Sequence, residues 1–188
     1  MTKKRRCEWC MKDDLYQNYH DTEWGVPVHD DQKLFEYLNL EGAQAGLSWY
    51  TVLKKKESYY EAFDAWDAHE ILKYDQAKRE ELLQNPGIIR NKLKVNAVIV
   101  NAAAYLKVQE EFGSFDKYIW SFVNGKTIVN NFKGMEDAIA TSPESDAMSK
   151  DLKKRGFKFV GSTICYAFMQ AVGMVDDHFE YCWKRRNS

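Results

Sequence analysis

Apolar residues in the stretch 92–112 recur every three or four positions: Val95, Val98, Ile99, Ala102 and Leu106. That period describes one face of an α-helix, and Gly113 behind it is a stop that adopts the left-handed conformation without strain. The same grammar runs along the chain. Leu34, Phe35 and Leu38 fall at helical spacing within 31–40. Ser48 can cap a helix reaching about residue 63, with Val52, Leu53, Tyr60 and Phe63 inward. Residues 67–74 and 76–84 are short helical pieces, followed by the turn signal Asn85-Pro86-Gly87. Ser114 caps 115–123. Ser142-Pro143 opens a helix ending in Lys153-Lys154-Arg155-Gly156, where cations meet the negative end of the dipole. A last apolar helix covers 162–172, before Gly173. Thr127-Ile128-Val129 is a short, isolated strand signal, and no strand–helix alternation suggests a parallel sheet. The expected class is all-α, with around eight short helices packed at varied angles.

At roughly 150 residues per domain, 188 residues suit a single domain over 1–188. A chain this long can bury a core without disulfides. No stretch reaches the ~20 apolar residues of a membrane span. No apolar signal core follows the basic run Met1-Thr2-Lys3-Lys4-Arg5-Arg6, so no secretory signal and a cytosolic location are expected. There the four cysteines are free or metal-bound rather than paired. With 27 Lys and Arg against 28 Asp and Glu, the chain is no globally basic nucleic-acid coat protein, and any DNA contact must use a local patch. Aromatic residues make up 14% of the chain, more than one small core obviously needs, which points to a ring-lined pocket.

Cys7, His20, His178 and Cys182 form a candidate zinc set, because two thiolates and two imidazoles close a tetrahedron. His178 and Cys182 are four residues apart, a spacing that shares one helix face. Such a metal would staple the two ends of the chain, which otherwise fray. The ordinary alternative is buried thiols and surface imidazoles, and Cys10, in Cys7-x-x-Cys10, could replace Cys7 or a histidine. Cys165 reads as a core residue; His29 and His69 read as solvated.

Tyr16, Tyr19 and Trp24 crowd around His20 in sequence. Glu41 is a lone carboxylate in the apolar stretch Leu40-Glu41-Gly42-Ala43-Gln44-Ala45-Gly46-Leu47-Ser48-Trp49. An isolated buried charge is costly, so Glu41 is either solvated at a helix end or placed to meet a ligand. Rings that sandwich a flat heterocycle, with an acceptor for its exocyclic N–H, are what recognition of an extruded base requires. Basic residues cluster at Lys54-Lys55-Lys56, at Arg90, Lys92 and Lys94, and again over 150–158. Solvated helix faces account for any one cluster. The middle one, however, follows Gly87 with the form helix, turn, helix N-terminus, which suits a phosphate.

Taken together, these stretches resemble the DNA-3-methyladenine glycosylase I family. The resemblance is carried by Tyr16-x-x-Tyr19-His20-Asp21-x-Glu23-Trp24-Gly25, by Glu41-Gly42-x-Gln44-Ala45-Gly46-Leu47-Ser48-Trp49 and by Gly87-Ile88-Ile89-Arg90. Trp120-Ser121-Phe122-Val123-Asn124, the run from Leu152 to Gly161 and Asp177-His178-x-x-x-Cys182 complete it, in order, over about residues 6–182. The resemblance implies an all-α helix-hairpin-helix glycosylase of base excision repair. It implies one structural zinc held by Cys7, His20, His178 and Cys182, with Cys10 an extra thiol. It implies a base pocket of Glu41, Trp49, Tyr16, Tyr19 and Trp24, and DNA contacts through Gly46, Leu47, Gly87, Arg90 and Lys92. The partner is then alkylated double-stranded DNA, with no membrane and no obligate protein partner, for a monomer in the bacterial cytosol at the nucleoid. The hairpin offers no lysine placed as a Schiff-base nucleophile, so the expected reaction is hydrolysis without strand cleavage. The stretch 90–104 contains no Asp, so either Glu41, the candidate catalytic residue, supplies electrostatic stabilisation alone or binding in the pocket suffices for so labile a bond. A zinc-stapled DNA-binding module without chemistry is the rival expectation.

Overall fold

The computed structural model describes residues 4–186; the first three residues of the basic N-terminal run lie outside the described residues. Ten α-helices occur among them: α1 Asp14–Thr22, α2 Asp31–Ala43, α3 Trp49–Leu53, α4 Lys56–Ala62, α5 Ala68–Ile71, α6 Gln76–Gln84, α7 Lys92–Phe112, α8 Phe115–Trp120, α9 Pro143–Lys154 and α10 Ser162–Ala171. Eight of the ten begin on a side-chain cap: Asp13, Asp30, Ser48, Asp67, Asp75, Asn91, Ser114 and Ser142 each accept a backbone N–H of the first turn. Each cap satisfies a donor that the helix leaves open, so short-range chemistry sets where these helices start.

The helix α2 is central. Every residue from Leu34 to Ala43 is buried, and α2 packs against α7, α8 and α10. A helix buried all round must satisfy its polar groups internally. Asn39 donates to the Phe35 carbonyl at 2.8 Å and accepts from Asn101 of α7 at 2.9 Å. Asn101 in turn accepts the Lys158 N–H at 2.7 Å.

Four expectations are corrected. The helix after Ser48 breaks at Lys54–Lys55 into α3 and α4, and with the new phase Tyr59 turns inward while Tyr60 is exposed. Residues 121–123 form a 3₁₀ turn rather than the end of α8. The strand signal finds a partner: Ile128–Val129 (β1) pairs in parallel with Val175–Asp176 (β2), two residues each. Residues 177–186 form turns, not a helix, so His178 and Cys182 do not share a helix face. No helix among the described residues is long and apolar enough to cross a membrane.

The hairpin α6–turn–α7 is fastened to α4. Lys55 Nζ donates to the Pro86 carbonyl at 2.7 Å, and the Ile89 N–H donates to the Tyr59 hydroxyl at 3.0 Å. A Cβ on Gly87 would stand 2.7 Å from Ser58 Cβ, so glycine is required there by close approach. Gly87→Ala is expected to cost about 1–3 kcal/mol through overpacking, read as a fall in Tm. Ser58→Gly in the same chain should recover most of it, and equal losses in single and double variants would refute the contact.

Candidate active site

Glu41 lies in the last turn of α2, and its burial follows from that helix. It is 3% exposed, and its Oε2 has no hydrogen-bond partner among the described residues. Burial pushes its carboxyl well above the usual range, because desolvation disfavours the charged form. The expectation of a solvated helix end is therefore wrong. A cavity of about 190 Å³ opens at this carboxyl. Tyr16, Tyr19, Trp24, Glu41 and Trp49, all singled out from the sequence, line it together.

Each wall has a structural reason. Asp13 caps α1 and also accepts the Tyr50 hydroxyl, so α1 and α3 are tied and Tyr16 faces the cavity. Tyr19 and Trp49 lie 5.4 Å apart between ring centres, tilted by 43°. Behind Trp49, Tyr37 lies near-parallel at 6.5 Å, and its hydroxyl donates to Glu23, which also pairs with Lys56. Sequence reasoning missed this backing, because residues from α1, α2 and α4 meet only in three dimensions. It also missed Trp9, Gln44, Phe132, Gln170 and Asp177 in the lining. Trp9 packs edge-on against Tyr16, His20 and Trp24 at 4.9–5.4 Å; its place between two cysteines was the available signal. Gln44 Oε1 and Trp49 Nε1, like Glu41 Oε2, are buried without a partner among the described residues. Three such atoms around one cavity are costly unless a polar ligand meets them.

Asp177 accepts from Tyr166, Gln170 and Asn130 at 2.7–2.9 Å, so its carboxylate is fully occupied within the protein.

Beside the cavity, one atom each of Cys7, His20 and Cys182 lies within 4.8 Å of the others, all three residues buried. His178 is outside that triplet, but its ring stands 5.0 Å from His20 at 82°. His20 Nδ1 faces Asp21 at 2.8 Å and His178 Nδ1 faces Asp176 at 2.7 Å. That arrangement turns both Nε2 atoms away from the carboxylates: His20 Nε2 meets Cys182 Sγ at 3.4 Å, and His178 Nε2 is buried with no partner among the described residues. Carboxylates that hold the far ring nitrogen of a ligating histidine in this way are the usual outer layer of a zinc site. Cys7 donates to Cys182, so the Cys182 thiol is drawn down toward the thiolate a metal needs while the Cys7 thiol is pushed up. The donor set therefore fits zinc. Cys10 turns away, its thiol donating to the Cys7 carbonyl at 3.1 Å. Cys165 is buried in the core, and His69 is exposed. His29 is exposed too, but it meets Asp116 at 2.7 Å and stacks on Trp120.

Of the residues expected to contact DNA, Gly46, Leu47, Arg90 and Lys92 are exposed and Gly87 is half-buried. Gly46 has φ +75° and Leu47 beside it is exposed. Arg90 and Lys92 are exposed at the start of α7.

The sequence pattern of the methyladenine glycosylases matches residues 9–185. The chain belongs to that family. It is 50% identical over 177 residues to the DNA-3-methyladenine glycosylase of Haemophilus influenzae, covering 94% of this chain and 96% of that protein. A crystal structure of 3-methyladenine DNA glycosylase I superposes with a TM-score of 0.94 at 49% identity, over 97% of this chain and all of the other. A 3-methyladenine DNA glycosylase I from Staphylococcus aureus, whose structure addresses 3-methyladenine recognition, gives a TM-score of 0.93 at 38% identity over 97% of each chain.

Glu41 also makes stability depend on pH. Its folded-state value is raised, so the unfolded chain ionises first. The cost therefore begins to grow above the ordinary glutamate range and is fully felt only above the raised value. Glu41→Gln is expected to raise stability at neutral pH by about 1–3 kcal/mol, with the gain vanishing near pH 4. Thermal melts across pH check this; a gain that persists in acid would contradict it.

Proposed function

We propose that this chain hydrolyses the N-glycosidic bond of 3-methyladenine in alkylated duplex DNA, as a monofunctional glycosylase of base excision repair. The observation that carries the reading is the buried, unpartnered Glu41 carboxyl in a ring-walled cavity of base-sized volume. The lesion is cationic, so its base departs easily and less chemistry is needed. An entering cation lowers the pKa of a buried carboxyl. Glu41 thus becomes an anion when a charged purine arrives, and accepts a hydrogen bond from its exocyclic amine. Neutral adenine offers no such compensation and leaves the burial cost standing. Trp49 stacks on the base, where a cation over an indole gains further attraction, and Tyr16, Tyr19 and Trp24 close the walls. Flipping costs a few kcal/mol, least for a weakly paired lesion. Leu47, exposed at the Gly46 turn, fills the gap left in the stack. The turn at Gly87 and the N-terminus of α7, with Arg90 and Lys92, form a helix-hairpin-helix contact to phosphate.

Cys7, His20, His178 and Cys182 would hold one zinc ion. With four protein ligands it leaves no open position for a catalytic water, and its role is to pin the chain ends behind the pocket. Trp9 and Trp24 pack on His20 and His178 of this staple, and Trp9 carries the contact on to Tyr16 and Tyr19, so pocket shape rests on it.

Chromatography of bases released from methylated DNA should show 3-methyladenine. Glu41→Gln should lower its release by about 10²-fold with metal content unchanged. Unaltered release would remove Glu41 from the mechanism, and no free base at all would favour a binding module. Metal analysis should find about one zinc per chain, lost in Cys182→Ser with a fall in Tm. Arg90→Ala should weaken duplex binding and reduce the salt slope by about one; a salt-independent affinity would defeat the hairpin reading.

A further inference from the structure

One side chain joins the hairpin to the pocket. Lys94 lies in the first turn of α7, two residues beyond Lys92, but it is partly buried where Lys92 is exposed. Its Nζ donates to the Ala43 carbonyl at 2.9 Å and the Ala45 carbonyl at 2.6 Å. The first is the last carbonyl of α2, where a helix leaves acceptors open and carries its negative pole, and the second lies in the turn that follows. A single ammonium closes both.

The position of those two carbonyls gives the contact its consequence. Ala43 sits between Glu41 and Gln44, whose buried polar atoms face the cavity. Ala45 precedes Gly46 and the exposed Leu47. At its other end the lysine belongs to a hairpin already fastened by Lys55 and Tyr59, and its own N–H donates to the Asn91 side chain. Two of its three donors point inward, so it is poorly placed to hold phosphate.

We propose that Lys94 is a positioning residue for excision. It makes the hairpin and the Gln44–Leu47 turn one rigid unit, so that seating the hairpin on phosphate fixes where Leu47 enters the stack and where the extruded base meets Glu41. This inference rests on the reading of Leu47 as the residue that fills the gap.

The test uses Lys94→Met, which keeps most of the stem and removes the charge and donors. Three quantities are measured: single-turnover excision from methylated duplex at saturating protein, affinity for undamaged duplex across a salt series, and binding of free 3-methyladenine by tryptophan fluorescence. Excision should fall about 10–100-fold, the cost of a small misplacement of reacting groups. The salt slope should be unchanged and free-base affinity should stay within about twofold, well inside a tenfold step in binding. Lys94→Arg, which can still donate to two carbonyls, should restore most of the rate. A salt slope reduced by about one would make Lys94 a phosphate contact instead. Parallel loss of free-base binding would make it a prop of the pocket alone, and an unchanged rate would give it no part. If Lys94→Met does not fold, Lys94→Gln, which removes the charge and leaves a two-donor amide of shorter reach, carries the same comparisons. Leu47→Ala separates the two readings. Unaltered excision there removes the gap-filling role, whereas loss with Leu47→Ala but not with Lys94→Met overturns the positioning role alone.

Discussion

The carboxyl of Glu41 is buried at the end of a helix that is itself buried on every side. Desolvating such a group without a partner opposes folding, so the rest of the structure must supply the excess. It does so through the apolar contacts of α2 with α7, α8 and α10 and through the satisfied Asn39–Asn101 pair. The pocket is therefore a place where stability has been given up around a site that a charged purine can complete.

The same logic extends to the other open atoms. Gln44 Oε1 and Trp49 Nε1 share the cavity with Glu41, and each is one bond short. Rings from α1 and α3 form the walls, and Tyr37 with the Glu23–Lys56 pair stiffens Trp49 from behind. Rigid walls matter because a flexible cavity would collapse onto its unpaired groups rather than wait for a ligand.

The chain ends close the back of the site. β1 and β2 dock the C-terminal segment, and Asp176 of β2 orients His178. The N-terminal segment brings Cys7 and Trp9, so a proposed zinc there links the two ends to the pocket floor. Terminal segments fray unless tied down, which is why a metal staple joining them is physically useful.

Several helix starts were legible because they are written locally: the caps at Ser48, Ser114 and Ser142 and the period of α7 needed no distant partner, whereas α1, capped by Asp13, carried no apolar period that gave it away. The phase of α4 was not legible, since a two-residue break at Lys54–Lys55 rotates every later side chain and exchanges Tyr59 for Tyr60. Nor was the parallel pairing of Ile128 with Val175, whose two strands are 47 residues apart. Composition and order of residues nominated Glu41, the tyrosines, the tryptophans and four candidate metal ligands, of which Cys7, His20 and Cys182 come within 4.8 Å of one another. Whether Glu41 met solvent or a cavity was decided only by packing: burial depends on what covers a helix end, and that cover comes from segments remote in the chain. The same holds for Lys94, which in sequence is one basic residue among three and in the fold turns inward, because the last carbonyl of α2 and one in the turn that follows lie within its reach.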